Sequence, residues 1–208
     1  MITYSVYGQD NDTYAFRQYP AITAHQRVYQ AVAPDMSGIT APGNRRCTSC
    51  GELLNKWEEQ LKLVVARKGF DIGSTYDGLT IVSRRFKVLC ESATLTGLLF
   101  TELPNDSNLF SIRPLRSVEF DAERRKTRFI NRCPSCNRYE SVVGASPVYL
   151  KPGTAIGQRE FVRTDLEFGS KDEKHPLILC GDIAAETLAS SKLRGLDLVA
   201  VDNDIPKR

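Results

Sequence analysis

The chain has 208 residues, of which 41% are hydrophobic and 25% are charged, and this composition excludes wholesale disorder. Its apolar runs are a few residues long, far short of the roughly 20 that a membrane-spanning helix needs. The N-terminus also lacks the basic and apolar regions of a signal peptide, so we expect a cytoplasmic protein. The net charge of +3 is too small to indicate nucleic-acid binding by itself.

Hydrophobic periodicity and turn residues predict an alternation of short strands and short helices. In chain order we expect a β-hairpin over 1–20, a helix over 53–65 (or a strand at 61–65), a short helix over 83–93, a strand over 96–103, two strands over 110–120 and 126–131 around a polar turn at 121–125, an extended segment over 141–168, a helix over 182–193 and a strand over 196–201. This order predicts an α+β fold with mainly antiparallel strands.

No linker or low-complexity tract marks a domain boundary, so we expect one domain over 1–208. Two cysteine pairs divide it into parts. These are an N-terminal hairpin region at 1–41, a first C-x-x-C half at 42–103, connecting strands at 104–132, a second C-x-x-C half at 133–201 and a polar tail at 202–208.

The two halves resemble each other in sequence. Residues 71–74 (DIGS) resemble 167–170 (EFGS), and the L-x-G-L of 95–98 recurs at 193–196, with offsets of 96 and 98 residues. A glycine in this position is typical of a helix that ends and leads directly into a strand. The similarity predicts two diverged helix–strand repeats that share one metal site. Its low identity leaves chance resemblance as the alternative.

Four of the six cysteines form two C-x-x-C pairs, Cys47 with Cys50 and Cys133 with Cys136. Two thiolates at this spacing can bind one tetrahedral ion from a single tight turn, and two such pairs supply the four ligands of a structural zinc site. The 82 residues between the pairs far exceed the spacing of a compact zinc finger. We therefore expect one structural Zn²⁺ per chain that links two distant parts of the fold.

Three other interpretations of the cysteines remain open. Disulfides are not expected in a cytoplasmic chain, a redox pair needs only one C-x-x-C motif, and the thiols could be free of metal. Cys90 and Cys180 lie in the apolar runs KVLCES and LILCGD, where small buried side chains are expected.

Motifs for catalysis and for phosphate binding are absent from the sequence. We expect His25 and His175 to be surface residues. The basic groups at 45–46, 84–85 and 124–126 are interpreted as solvated faces, because each adjoins acidic residues or a turn.

Several motifs resemble a family of bacterial immunity proteins with a double C-x-x-C motif, which are encoded beside polymorphic toxins. The resemblance covers most of the chain from Pro42 onward. It rests on PG-x(3)-CxxCG at 42–51, D-x(5)-DG-x(2)-IVS-x-RF at 71–86, L-x-G-x-x-F at 95–100 and F-I-x(2)-C-x-x-C at 129–136. The strongest motif is RTDLEFGS followed by PLILC and a closing helix with L-x-G-L, at 163–196. One departure is Asn137, where the family usually has glycine. Asparagine can adopt the same turn, so the zinc interpretation is unaffected.

This resemblance implies a protein without enzymatic activity that binds and neutralises one cognate toxin through the toxin's catalytic domain. Two alternative functions belong to other classes of protein. A zinc-ribbon module that binds nucleic acid or regulates would show a concentrated basic face. An enzyme with a catalytic cysteine would place a histidine beside a cysteine outside the metal set, and neither Cys90 nor Cys180 has such a neighbour in the sequence.

Overall fold

A computed structural model describes residues 3–10, 46–54, 57, 69–75, 78–104 and 106–201. Within these ranges the chain forms short strands and three short helices. The strands are β1 (Thr3–Asp10), β2 (Ile72–Ser74), β3 (Thr80–Ser83), β4 (Leu98–Leu103), β5 (Asp106–Pro114), β6 (Ser117–Val118), β7 (Arg128–Arg132), β8 (Tyr139–Val143), β9 (Phe161–Ser170), β10 (His175–Cys180) and β11 (Leu196–Val201). The helices are α1 (Arg84–Ser92), α2 (Ala122–Arg125) and α3 (Asp182–Ser190), with a 3-10 turn at Lys171–Glu173.

The strands form one sheet with the order β4-β5-β3-β2-β1-β10-β9-β8-β7, with β11 paired to β1 and β6 paired to β9. All the pairs are antiparallel except β1 with β2 and β6 with β9. The expected α+β fold with mainly antiparallel strands is therefore confirmed. None of the helices in the described ranges is long and apolar enough to span a membrane.

The sheet contains the same arrangement twice. In the first half β2 pairs with β3, and β5 lies between β3 and β4. In the second half β9 pairs with β10, and β1 lies between β10 and β11. In each half a nine-residue helix follows the second strand, α1 after β3 and α3 after β10. The predicted helix–strand repeats therefore share one topology.

The L-x-G-L corners also share their backbone conformation. The residue before each motif has a positive φ, 53° at Thr94 and 54° at Lys192, and so does each motif glycine, 88° at Gly97 and 80° at Gly195. Each corner contacts the first strand of the other half. The carbonyl of Thr96 accepts the N–H of Phe161 at 2.9 Å, and the carbonyl of Arg194 accepts the N–H of Ile72 at 3.3 Å. The halves are thus joined reciprocally, as expected for two repeats around a local two-fold axis.

The part of the predicted repeat that involves residues 71–74 and 167–170 is wrong in register. Ile72 pairs with Val82 in the first half, and Phe161 pairs with Cys180 in the second, so Phe161 takes the place of Ile72. The strand β9 extends well beyond this point, and the EFGS sequence lies at its far end. Sequence similarity there does not reflect an equivalent position in the sheet.

Two large hydrophobic clusters and a small third one, of Leu79, Ile81 and Leu103, fill the space around the sheet. The first combines side chains from both repeats, with Phe86 and Cys90 of α1, Phe161 of β9 and Leu188 of α3 all buried. Phe86 is also linked to the start of its helix, because its N–H bonds the Ser83 side chain that caps α1. The second cluster lies beneath β8, β9 and β10 and supports the end of the sheet that carries the cysteine pairs.

The other sequence predictions have mixed outcomes. The helices at 83–93 and 182–193 and the strands at 96–103 and 196–201 are confirmed with slightly different ends. The polar turn at 121–125 is one helical turn, capped by the Asp121 side chain on the N–H of Arg124. The first arm of the N-terminal hairpin is a strand, β1, but its second arm lies outside the described residues. The helix expected over 53–65 does not begin at Leu53, which forms a β-bridge with Arg46, and most of its remaining residues lie outside the described ranges.

Candidate metal centre

The four cysteines of the C-x-x-C pairs come together, as predicted from the sequence. The sulfur atoms of Cys47, Cys50, Cys133 and Cys136 all lie within 4.8 Å of one another. Two close sulfur–sulfur separations join the two pairs. They are 3.8 Å between Cys47 Sγ and Cys133 Sγ and 3.7 Å between Cys50 Sγ and Cys136 Sγ. A tetrahedral ion with Zn–S bonds of about 2.3 Å would place its ligands ~3.8 Å apart, so the sulfur spacing fits one such ion.

Each cysteine pair lies in a tight turn, here called a knuckle (residues 47–51 and 133–137). In the first, the N–H of Gly51 donates to the carbonyl of Cys47 at 2.8 Å. In the second, the N–H of Asn137 donates to the carbonyl of Cys133 at 2.9 Å. The fifth residue has a positive φ in both, 73° at Gly51 and 60° at Asn137, a conformation that glycine and asparagine tolerate best. The knuckles are therefore equivalent turns, as the sequence predicts.

The tips of the knuckles face each other. The hydroxyl oxygens of Ser49 and Ser135 lie 2.7 Å apart and are hydrogen-bonded. These serines occupy the same position in their knuckles, 86 residues apart in the sequence. The same offset relates Cys47 to Cys133 and Cys50 to Cys136, so the metal centre itself has approximate two-fold symmetry.

Polar contacts outside the cysteine set hold the knuckles in place. Arg46, just before the first knuckle, makes a two-point contact with Asp172 at 3.0 Å for each N–O pair. Arg138, just after the second knuckle, donates to the carbonyls of Leu53, at 3.0 Å, and Leu54. An arginine next to each knuckle thus binds a distant part of the chain.

A buried ion pair completes this support. The ammonium of Lys174 lies 2.7 Å from Glu52, and the two side chains are only 5% and 9% exposed. The same ammonium donates to the backbone carbonyl of Tyr139, beside the second knuckle. Sequence reasoning did not identify Glu52, Asp172 or Lys174, because single charged residues at these separations carry no recognisable pattern.

The thiol pKa values show how closely the sulfurs interact. Hydrogen bonds from the backbone N–H groups of Cys136 and Ser135 lower the pKa of Cys133 to about 6. Those of Cys50 and Ser49 likewise lower the pKa of Cys47. The backbone N–H of Glu52 acts to lower the pKa of Cys50, but burial and its sulfur neighbours outweigh this and raise it to about 12. A cation bound between the four sulfurs would replace the protons of the thiols.

The remaining cysteines lie apart from the centre, as expected. Cys90 and Cys180 are 2% and 0% exposed and belong to the first hydrophobic cluster. Burial raises the pKa of each thiol to about 12, so both are neutral and unreactive near pH 7. His175 is exposed and its Nδ1 lies 2.9 Å from the carbonyl of Glu173, while His25 lies outside the described residues.

The second knuckle is also the loop of a hairpin. β7 ends at Arg132, immediately before Cys133, and β8 begins at Tyr139, two residues after Asn137. β8 joins the rest of the sheet through only two residue pairs, Ser141 with Ser170 and Val142 with Gly169. The contacts at the knuckle hold the tip of the β7–β8 hairpin, while Val142 of β8 is buried in the second hydrophobic cluster.

Comparison with known proteins adds no identification. No protein-family model matches the chain, and no curated protein matches it. The chemistry of the site rests on its own geometry, which is that of four thiolates around one position.

Proposed function

We propose that this chain is an immunity protein that binds a cognate secreted bacterial toxin and neutralises it through protein–protein contact. The observation that carries the proposal is the four-cysteine centre together with the motifs around it. A centre of four thiolates leaves no position for water or substrate, which suits a structural ion. We infer that the ion is Zn²⁺, one per chain, because thiolate ligands at tetrahedral spacing favour it.

The role of such a centre in a binding protein is to fix its surface before the partner arrives. The ion would hold the two knuckles together and with them the β7–β8 hairpin. A surface ordered in advance loses less conformational freedom on binding, so more of the contact energy becomes affinity. We expect an interface of about 1,600 Å² in total, as in enzyme–inhibitor pairs.

A genetic experiment tests this proposal. The toxin domain encoded beside this chain is expressed in a susceptible bacterium, with and without the wild-type protein. We expect survival only in its presence. Equal killing in both cultures, while this protein is abundant in its folded, zinc-loaded form, would exclude the immunity function.

One observation favours a second candidate, a zinc module that binds nucleic acid. Residues 122–143 contain six basic and two acidic side chains, a net charge of +4 within a chain of +3. Affinity for an oligonucleotide that falls steeply with salt would support this candidate. Tight toxin binding with weak oligonucleotide binding would reject it.

A further inference from the structure

We propose that the outer edge of β7 is the docking surface of this protein and that its partner is an acidic, extended segment of the toxin domain. The inference rests on the proposed function, to which it adds a surface and a chemical class of partner. The bound segment of the partner would add a strand to the sheet beyond β7.

The first observation is the open edge. β7 is the last strand in the order of the sheet, and β8 is its only neighbour among the described residues. A strand in this position presents a row of backbone N–H and C=O groups that can pair with another chain. Strand addition uses these groups for affinity and the neighbouring side chains for specificity.

The second observation is the exposure of the strand. All five residues of β7 are exposed, including Phe129 at 40% and Ile130 at 38%. Val143 of β8, which pairs with Arg128, is 39% exposed. Ile130 and Val143 share one face of the hairpin, because Val143 pairs with Arg128 and Ile130 lies two residues further along β7. A partner strand would remove part of their surface from water, which contributes favourably to binding.

The third observation is charge. Arg128 and Arg132 flank the apolar residues of β7, and no ion pair or hydrogen bond of their side chains is found within the described part of the chain. By contrast, Arg138 of the same hairpin binds backbone carbonyls. The two exposed arginines are therefore available to a partner, and they favour one with carboxylates at matching positions.

The same charges disfavour a second copy of this chain as the partner. Antiparallel pairing of two β7 strands centred on Ile130 would place Arg128 of one copy opposite Arg132 of the other. Like charges that face each other across a strand pair are destabilising. Basic residues on an edge strand thus oppose self-association while they leave the edge open to an acidic strand.

The metal centre fits this role because it lies at the tip of the hairpin. Cys133 directly follows β7, and Asn131 within the strand is held by its side-chain bond to Glu140 of β8 at 2.8 Å. An ion bound at the knuckle would fix the end of β7 relative to the sheet. We therefore expect removal of zinc to weaken partner binding as well as stability.

The experiment measures binding of the zinc-loaded full chain to the toxin domain encoded beside it. In the test variant, Arg128→Glu is combined with Arg132→Glu. In the control, Lys192→Glu is combined with Arg194→Glu, two exposed positions outside the hairpin that change the net charge equally. We expect the test variant to bind at least about tenfold more weakly and the control to bind like the wild type.

The outcomes separate the two proposals. If the wild type does not bind the toxin domain, the proposed function fails. If the wild type binds and the test variant binds equally well, the docking surface lies elsewhere and only the present inference fails.

A second measurement addresses the surface without the toxin. The zinc-loaded chain is titrated with a capped Glu-Val-Glu-Val-Glu-Val peptide and with its Lys-Val counterpart, and backbone amide shifts are followed by NMR. We expect the acidic peptide alone to shift the amides of β7. Shifts at the β4 or β11 edge, equal effects of both peptides, or stronger effects of an oligonucleotide on the same amides would each overturn the inference.

Discussion

The ammonium of Lys174 lies 2.7 Å from the carboxylate of Glu52, although the two residues are far apart in the sequence. Glu52 directly follows the first knuckle, and Lys174 also donates to the carbonyl of Tyr139 beside the second. One buried cation therefore links both knuckles to the connection between β9 and β10. This contact supports the cysteine centre independently of any ion bound there.

We predict that Lys174→Met strongly destabilises the protein, because the Glu52 carboxylate would remain buried without its partner. Loss of one member of a buried ion pair costs about 3–5 kcal/mol. The matched control is Lys171→Met, whose side chain is 75% exposed and lies 4.0 Å from Glu140. It should change the free energy of unfolding by less than about 0.5 kcal/mol. Urea unfolding measures both, and equal stabilities of the two variants would contradict the account.

We predict that Gly97→Ala strongly lowers the free energy of unfolding, because Gly97 lies where the two repeats meet. A β-carbon at Gly97 would lie 2.2 Å from the carbonyl oxygen of Phe161, and the residue has a φ of 88°. Gly153 has a similar φ of 84°, but a β-carbon there would meet no atom within 4 Å. Gly153→Ala should therefore cost about 1–2 kcal/mol for the backbone conformation alone. Gly97→Ala should cost more than about 4 kcal/mol, which thermal unfolding would reveal.

A third prediction concerns pH. The hydrogen-bonded ion pair with Arg116 lowers the pKa of Glu160 below its ordinary 4.5 in the folded protein, and the N–H of Gly157 adds to this. A lowered folded-state pKa stabilises the protein above the ordinary pKa, and this contribution is lost as the pH falls through the lowered value.

The comparison of wild type with Glu160→Gln isolates this contribution. We expect a stability difference of no more than about 1 kcal/mol at pH 7, because Arg116 is partly exposed to solvent. The difference should shrink in urea unfolding as the pH falls below 4.5. A stability difference between the two proteins that grows as the pH falls would contradict this prediction.

The sulfur pairing predicts which disulfides form when the metal-free protein is oxidised. With hydrogen peroxide, two thiols lose two protons and two electrons to form one disulfide, and the peroxide is reduced to two waters. The short separations, 3.8 Å and 3.7 Å, favour Cys47 with Cys133 and Cys50 with Cys136.

Tryptic digestion distinguishes disulfides between the two knuckles from disulfides within each knuckle. Cleavage after Arg46, Lys56, Arg132 and Arg138 releases peptides 47–56 and 133–138, each with one C-x-x-C pair. Disulfides between the knuckles leave these peptides linked in one species by mass spectrometry. Two separate peptides with internal disulfides would contradict the sulfur arrangement.

Much of the metal centre could be predicted from the sequence because its ligands follow a local rule. Each C-x-x-C pair with Gly51 or Asn137 after it specifies its own turn, and two such turns specify a four-ligand set. The repeat could also be predicted where it depends on local conformation, at the L-x-G-L corners.

Contacts between distant residues could not be predicted in the same way. The register of β9 against β10 depends on which side chains fill the core, so the similarity of EFGS to DIGS was misleading. Lys174 and Glu52 are far apart in the sequence and come together only in the folded chain, so no local pattern predicts their contact. The sequence of β7 likewise does not predict that it is an edge strand, because a strand sequence does not show which strand lies beside it.

The most direct test of this account is the metal content of the full chain, purified under reducing conditions and measured by native mass spectrometry. We predict one zinc ion per wild-type chain and none in the Cys133→Ser variant, which should also be less stable. The control Cys180→Ala removes a buried thiol away from the centre and should retain the ion. A wild-type chain that is folded and stable yet binds no zinc would contradict the account.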